Sequence, residues 1–189
     1  MQTRFEVLQE KRGAKAKIKH EWTPYEKTST NLKRALIAAE DSRFLDHQGF
    51  DWEGIERAIE KNLQEGEIVA GGSTISQQLA KNLFLSARRT PWRKAQEAII
   101  TVMIEGLMSK RRILEIYMNV IEWGDNVFGA EAAARHYFSV SARDLSEAQA
   151  ARLAAMVPRP RFYDRNRSTR WLTRKTQIIL ARMPLVAVP

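Results

Sequence analysis

Three stretches of this 189-residue chain gather side chains that can do chemistry. The first runs Glu40-Asp41-Ser42-Arg43-Phe44-Leu45-Asp46-His47-Gln48-Gly49. Two adjacent carboxylates with a histidine just beyond can hold one carboxyl group at raised pKa, ready to act as a general base. The plainer alternative is a solvated acidic turn in which His47 bonds a backbone carbonyl.

The second stretch is Gly71-Gly72-Ser73-Thr74-Ile75-Ser76-Gln77-Gln78-Leu79-Ala80-Lys81-Asn82. A double glycine running into a Ser/Thr-capped helix offers backbone N–H groups to a phosphate or diphosphate oxygen. Gln77, Gln78 and Lys81 share the face opposite Ile75 and Leu79, and could grip sugar hydroxyls and an anion together. The alternative is a capped surface helix whose polar residues only meet water. A Walker-type loop is excluded, because its Gly-Lys-Ser/Thr ending is missing. The third stretch, Arg88-Arg89-Thr90-Pro91-Trp92-Arg93-Lys94-Ala95-Gln96-Glu97, puts basic side chains at a helix start, where they oppose the helix dipole. A bound anion would account for that placement, as would a basic patch for solubility or nucleic acid. Glu97 stands four residues after Arg93, so an intrahelical ion pair also explains it.

The elements that must position these residues read as helices almost throughout, with no convincing run of alternating apolar and polar residues. Leu32, Leu36 and Ala39 share a face after a possible Asn31 cap, which places Glu40 and Asp41 near a helix C-terminus. Trp52, Ile55, Ile59 and Leu63 form a stripe behind Asp51, a natural N-cap. Ile75, Leu79 and Leu83 make the next. Thr90-Pro91 starts a helix expected to reach about Met108, since proline at the first helical position gives up only an amide without a partner. Ser109 caps another, with Ile113, Tyr117 and Ile121 inward. Ser146 and Gln149 have capping-box spacing, and Trp171 to Met183 form a last amphipathic segment. The loops with most character are 66–73 and 122–129. Residues 1–30, with Lys11, Arg12, Lys15, Lys17 and Lys19, look like a basic arm before a single domain over 31–189.

Composition narrows the function classes. With 44% hydrophobic and 28% charged residues the chain is a folded protein, and a net charge of +9 points to polyanionic partners: nucleic acid, an anionic membrane or a phosphate-bearing substrate. Having no cysteine, it lacks disulfides, thiolate metal sites and cysteine nucleophiles. Its three histidines, His20, His47 and His136, are scattered and form no recognisable metal motif. No segment supplies the roughly twenty mostly apolar residues that cross a bilayer.

In order and spacing, the three stretches resemble the motifs of the peptidoglycan glycosyltransferases, the family that polymerises lipid II. The matching patterns are Glu-Asp-x-x-Phe-x-x-His-x-Gly at 40–49, Gly-Gly-Ser-Thr-Ile-x-Gln-Gln-Leu-x-Lys-Asn at 71–82 and Arg-Lys-x-x-Glu at 93–97. Ile-Leu-Glu-x-Tyr-x-Asn at 113–119 is a fourth, and the segment 128–138 is similar to the one that follows it. Ser139 departs from the pattern, which often has glycine there. The resemblance covers roughly residues 31–166 and leaves no room for a transpeptidase domain, so the chain looks like a monofunctional member of the family.

The resemblance implies an all-α, lysozyme-like, two-lobed fold whose smaller lobe touches the membrane. It also implies an N-terminal membrane helix that these residues do not include, and a catalytic domain on the periplasmic side of the bacterial inner membrane. The implied reaction joins lipid II units into β-1,4-linked glycan with inversion and release of undecaprenyl diphosphate. Glu40 matches the general base, and Glu97 the second essential glutamate, which could position Lys81 or Arg89 or help hold a metal. Lys81 and Arg89, with Arg93 and Lys94 nearby, would stabilise the leaving diphosphate. The matched substrate-binding set is Asp41, His47, Gly72, Ser73, Thr74, Gln77, Gln78, Lys81, Asn82, Arg89, Arg93 and Lys94. A divalent cation, Mg²⁺ or Mn²⁺, is expected to arrive with the diphosphate. The expected partners are lipid II, the growing glycan, the membrane surface and proteins of cell division or elongation.

Two rival readings remain. A lytic transglycosylase or muramidase would share the fold and a glutamate, but the basic cluster after Lys81 has no use for a neutral leaving group. A basic helical nucleic-acid binder accounts for the charge alone and leaves residues 71–82 and both glutamates unexplained, so no nucleic-acid partner is expected.

Overall fold

Side-chain caps set where the helices begin. The computed structural model describes residues 18–65, 72–85 and 90–189. Helix α1 (Thr30–Glu40) starts at Ser29, whose Oγ accepts the Asn31 N–H at 3.2 Å. Asn31 is therefore not the cap, and its Nδ2 instead donates to the Leu145 carbonyl at 3.0 Å. Asp51 covers the Gly54 N–H at 2.9 Å at the head of α2 (Trp52–Glu65). Thr74 and Gln77 form a reciprocal capping box on α3 (Ile75–Phe84). Thr90 caps α4 (Pro91–Leu107) with proline in the first turn, and Ser109 caps α5 (Lys110–Val120). After α6 (Ala130–Phe138), a Ser146–Gln149 capping box opens α7 (Glu147–Met156). A short α8 (Pro160–Arg165) precedes α9 (Arg170–Arg182), capped by Thr169.

A small sheet joins these helices, where sequence periodicity shows none. Strands β2 (Glu122–Gly124) and β3 (Val127–Phe128) make a hairpin inside the expected loop 122–129, and β1 (Lys19–His20) pairs in parallel with β3. Strands of two or three residues are too short to display alternation. Around this sheet, Asn119 is buried and binds the chain near Thr23 in both directions. Its Oδ1 accepts the Thr23 N–H at 2.8 Å and its Nδ2 donates to the Thr23 carbonyl at 2.9 Å. Thr23, Tyr25 and Thr28 are buried, so the described end of the expected basic arm is built into the helical body. Lys11, Arg12, Lys15 and Lys17 lie outside the described residues.

The main core lies where α1 and α9 pack against α7, with α3, α4 and α5 forming a second packed group. Leu32, Leu36, Phe44, Ile75, Leu79, Ile113, Leu114 and Tyr117 are all fully buried. On the α2 stripe, Trp52, Ile59 and Leu63 face outward. Ile99, Val102, Met103 and Leu107 do the same on α4, where they recur at helical spacing along one side. Among the described residues, no helix is long and apolar enough to cross a membrane.

Candidate active site

The end of α1 is held to the start of α3 by the first two motifs. Asp41 is almost wholly enclosed, its side chain 1% exposed. One of its oxygens meets His47 Nε2 at 2.9 Å and the other accepts the Ile75 N–H at 3.0 Å. Thr74 Oγ1 donates to the Gly49 carbonyl at 2.7 Å. Gly49 sits at φ +89°, and a Cβ there would stand 2.7 Å from Thr101 Cγ2, so both backbone and space require glycine. The motif spacing thus sets one carboxylate into the scaffold and leaves its neighbour for other work.

That neighbour is Glu40, half-buried at the last position of α1. Its Oε2 accepts from Gln78 Nε2 at 2.8 Å, and Gln78 Oε1 accepts from the Tyr117 hydroxyl at 2.9 Å. Burial, reinforced by the charges of Glu40 and Asp41, pushes the Tyr117 pKa well above its ordinary value. The phenol therefore stays a donor, which orients the Gln78 amide with its NH₂ toward Glu40. On the other side, α9 packs on α1 and brings Lys175 within the electrostatic field of Glu40. Burial lowers the Lys175 pKa, and the Glu40 charge works against that shift.

Glu40 lines a cavity of about 180 Å³ together with Asp41, Gly72, Ser73, Arg57 and Arg182. Ser73 also lines an adjoining cavity of about 420 Å³, whose walls include Gln77, Gln78, Lys81, Arg93, Lys94 and Glu97. Glu97 is buried, and it binds both Arg93, at 2.8 Å, and Lys94. A carboxylate placed to accept a proton thus adjoins a pocket rich in cations. This arrangement suits transfer of a group from an anionic leaving group to a hydroxyl.

The expected site residues separate into two groups. Glu40, Gly72, Ser73, Gln78, Lys81, Arg93, Lys94 and Glu97 surround the paired cavities. Asp41 and Thr74 reach the smaller cavity's wall, but their polar atoms bond His47, Ile75, Gly49 and Gln77, so they hold the scaffold. His47 lies behind Asp41, outside both cavities. Gln77 faces the larger cavity, yet its Oε1 accepts the Thr74 N–H at 3.0 Å. Two amides at the start of α3 are likewise taken and are not open to a phosphate: Ile75 N–H goes to Asp41 and Gln77 N–H to Thr74. Asn82 lies on α3 outside the two cavities. Gly71, Arg88 and Arg89 lie outside the described residues.

Tyr117, Lys175 and Arg182 are neighbours of Glu40 that sequence reasoning misses. Tyr117 reads as a core position, although its place in the 113–119 motif was a signal. Lys175 and Arg182 carried none, being more than a hundred residues from Glu40. For a divalent cation, the described residues hold no group of three or more His, Asp or Glu able to bind one. Both oxygens of Glu97 already face cations, so a metal cage made by the protein does not fit here.

The family model described as Transglycosylase matches residues 6–184. A biosynthetic peptidoglycan transglycosylase of Nitrosospira multiformis is 65% identical over 189 residues, covering 100% of this chain and 82% of that protein. Proteins of the same description from Laribacter hongkongensis and Chromobacterium violaceum are 67% and 66% identical over 174 residues, covering 92% of this chain and 76% of each.

Proposed function

The chain belongs to the transglycosylase family and is a peptidoglycan glycosyltransferase with the lysozyme-like helical fold; on that premise we propose that Glu40 is its general base and the Lys81–Arg93–Lys94 pocket its diphosphate clamp. The observation that carries the assignment is the pairing of the two cavities through Ser73, with Glu40 in one and Lys81, Arg93 and Lys94 in the other. The acceptor is the 4-hydroxyl of a lipid II sugar. That hydroxyl is a weak nucleophile, so Glu40 takes its proton as the new bond forms. The donor is the growing glycan, held by its undecaprenyl diphosphate. As the anomeric C–O bond breaks, negative charge grows on the diphosphate, and fixed cations favour that state over the ground state. Base and leaving group on opposite sides of the sugar give inversion and a β-1,4 linkage.

Glu97 keeps Arg93 and Lys94 at the pocket wall, and Arg89 is expected to join them. A divalent cation enters as part of the bound diphosphate. The outward apolar side chains of α2 and α4 favour a membrane surface beside the cleft, where lipid II resides, which supports a location at the outer face of the bacterial cytoplasmic membrane. Proteins of division or elongation remain natural partners for such an enzyme.

The test is incubation of the chain with fluorescent lipid II and Mg²⁺ in detergent, with products resolved before and after muramidase. Wild-type protein is expected to give muramidase-digestible polymer, and Glu40→Gln to fold normally and lose polymerisation by a factor of about 10³ or more. Robust activity in folded Glu40→Gln sinks the assigned base.

A further inference from the structure

One face of α9 leads away from the cleft. Trp171, Lys175, Ile178 and Arg182 follow one another at i, i+4, i+7 and i+11, and so line one side of the helix over about 16 Å. At one end Arg182 lines the cavity that holds Glu40. In the middle, Lys175 stands in the field of Glu40 and 5.2 Å from the centre of the Trp171 ring. At the far end, Trp171 is 50% exposed and stacks on the buried Tyr163 at 5.4 Å with 7° between the rings. Phe162, 40% exposed, meets Tyr163 edge-on at 5.1 Å, and the Arg159 guanidinium sits 4.5 Å from the Phe162 ring centre.

Two features set this face apart from the apolar sides of α2 and α4. Its rings are fixed by a buried third ring, so they offer rigid apolar surface with little conformational entropy to lose. Cations interleave them, and α9 carries Arg170, Arg174, Lys175 and Arg182 with no acidic residue. A β-1,4-linked glycan needs both. Each pyranose presents an apolar C–H face bordered by hydroxyl and N-acetyl groups, and the lactyl-linked stem peptides add carboxylates.

Resting on the reading that glycan is made at Glu40, we propose that the outer face of α9, with Phe162 of α8, is a binding track for the growing glycan strand. Trp171 and Phe162 act as stacking platforms and Arg174 and Lys175 meet the stem-peptide carboxylates. The track begins where the bond is made, so a strand held on it stays close to the cleft between additions.

The full chain carrying Glu40→Gln serves as a non-polymerising background. The probe is lipid-free, uncross-linked glycan of four or more disaccharides with its stem peptides, dansyl-labelled and followed by fluorescence anisotropy. Trp171→Ala and Phe162→Ala are each expected to weaken binding about tenfold, the size of one interfacial aromatic anchor. Arg174→Glu is expected to weaken peptide-bearing strands more than strands stripped by amidase. With Glu40 restored, Trp171→Ala is expected to yield shorter product at matched lipid II consumption. Unchanged strand affinity in folded Trp171→Ala and Phe162→Ala overturns the track, as does a loss seen only for anionic vesicles. If Trp171→Ala does not fold, Phe162→Ala and Arg174→Glu decide the question. Strand binding is measured without turnover, so failure of the track and failure of Glu40 as base give separate results.

Discussion

Glu97 is bound to two cations that the structure treats unequally, and the inequality can be measured. The Glu97 side chain is 4% exposed, Arg93 16% and Lys94 53%. A charged hydrogen bond shielded from water, as between Arg93 and Glu97 at 2.8 Å, is worth about 1.5–3 kcal/mol. The Lys94 pair is open to solvent and to screening, which leaves it about 0.2–1 kcal/mol. Among the described residues Arg93 Nε is buried without a hydrogen-bond partner, so a guanidinium that also loses Glu97 has little left there to offset its desolvation. Double-mutant cycles by urea denaturation compare Glu97→Gln with Arg93→Met and with Lys94→Met. The expected coupling is about 2 kcal/mol for the first pair and under about 1 kcal/mol for the second. Glu97→Gln alone should lower Tm by about 4–8 °C. It should also slow polymerisation, because Arg93 is no longer held at the pocket wall. Equal couplings, or a Glu97→Gln protein with unaltered Tm and full activity, would refute the reasoning.

Two further outcomes follow from the same contacts. Tyr117→Phe removes the hydroxyl that orients Gln78; it is expected to cost about 1 kcal/mol of stability and to reduce kcat about tenfold with little change in KM, and an unchanged kcat would dismiss the relay to Glu40. Asp164, away from the cleft, is pushed up by burial. The Asp125 backbone N–H, His136 and Arg167 outweigh that push and hold it down at about 2. A carboxyl depressed on folding stabilises the protein above its unfolded pKa, and the contribution fades as pH falls through the folded value. The wild type should therefore lose about 2 kcal/mol between about pH 5 and pH 2, and Asp164→Asn should lack that part of the decline in pH-dependent melts.

What the sequence disclosed was local. Asp51, Thr74, Thr90-Pro91, Ser109 and the Ser146–Gln149 box start helices as read, because a cap and its target lie within three residues of one another. Motif spacing brought Glu40, Gln78, Lys81 and Glu97 to one cleft. The errors fall where a distant partner decides. Ile75 N–H looked open to an anion, but it is taken by Asp41, 34 residues earlier in the chain. Ser29 displaced Asn31 as cap, while Asn31 turned to Leu145. On α2 periodicity shows which residues share a side and not what that side meets, and the structure turns Trp52, Ile59 and Leu63 outward.

The parallel pairing of β1 with β3 has a bearing on how the chain folds. Residues 19–28 are secured by groups far along the sequence: Asn119 meets Thr23 across 96 residues, His20 reaches the Asn119 carbonyl across 99, and the Tyr25 hydroxyl donates to the carbonyl of Pro189 across 164. Closing loops of that length carries a large entropic penalty before any contact repays it. Early-synthesised residues thus settle late, after the helical body that receives them has formed. Protection of this stretch from proteases should therefore follow the docking of the helix that carries Asn119, well after residues 19–28 themselves have been made.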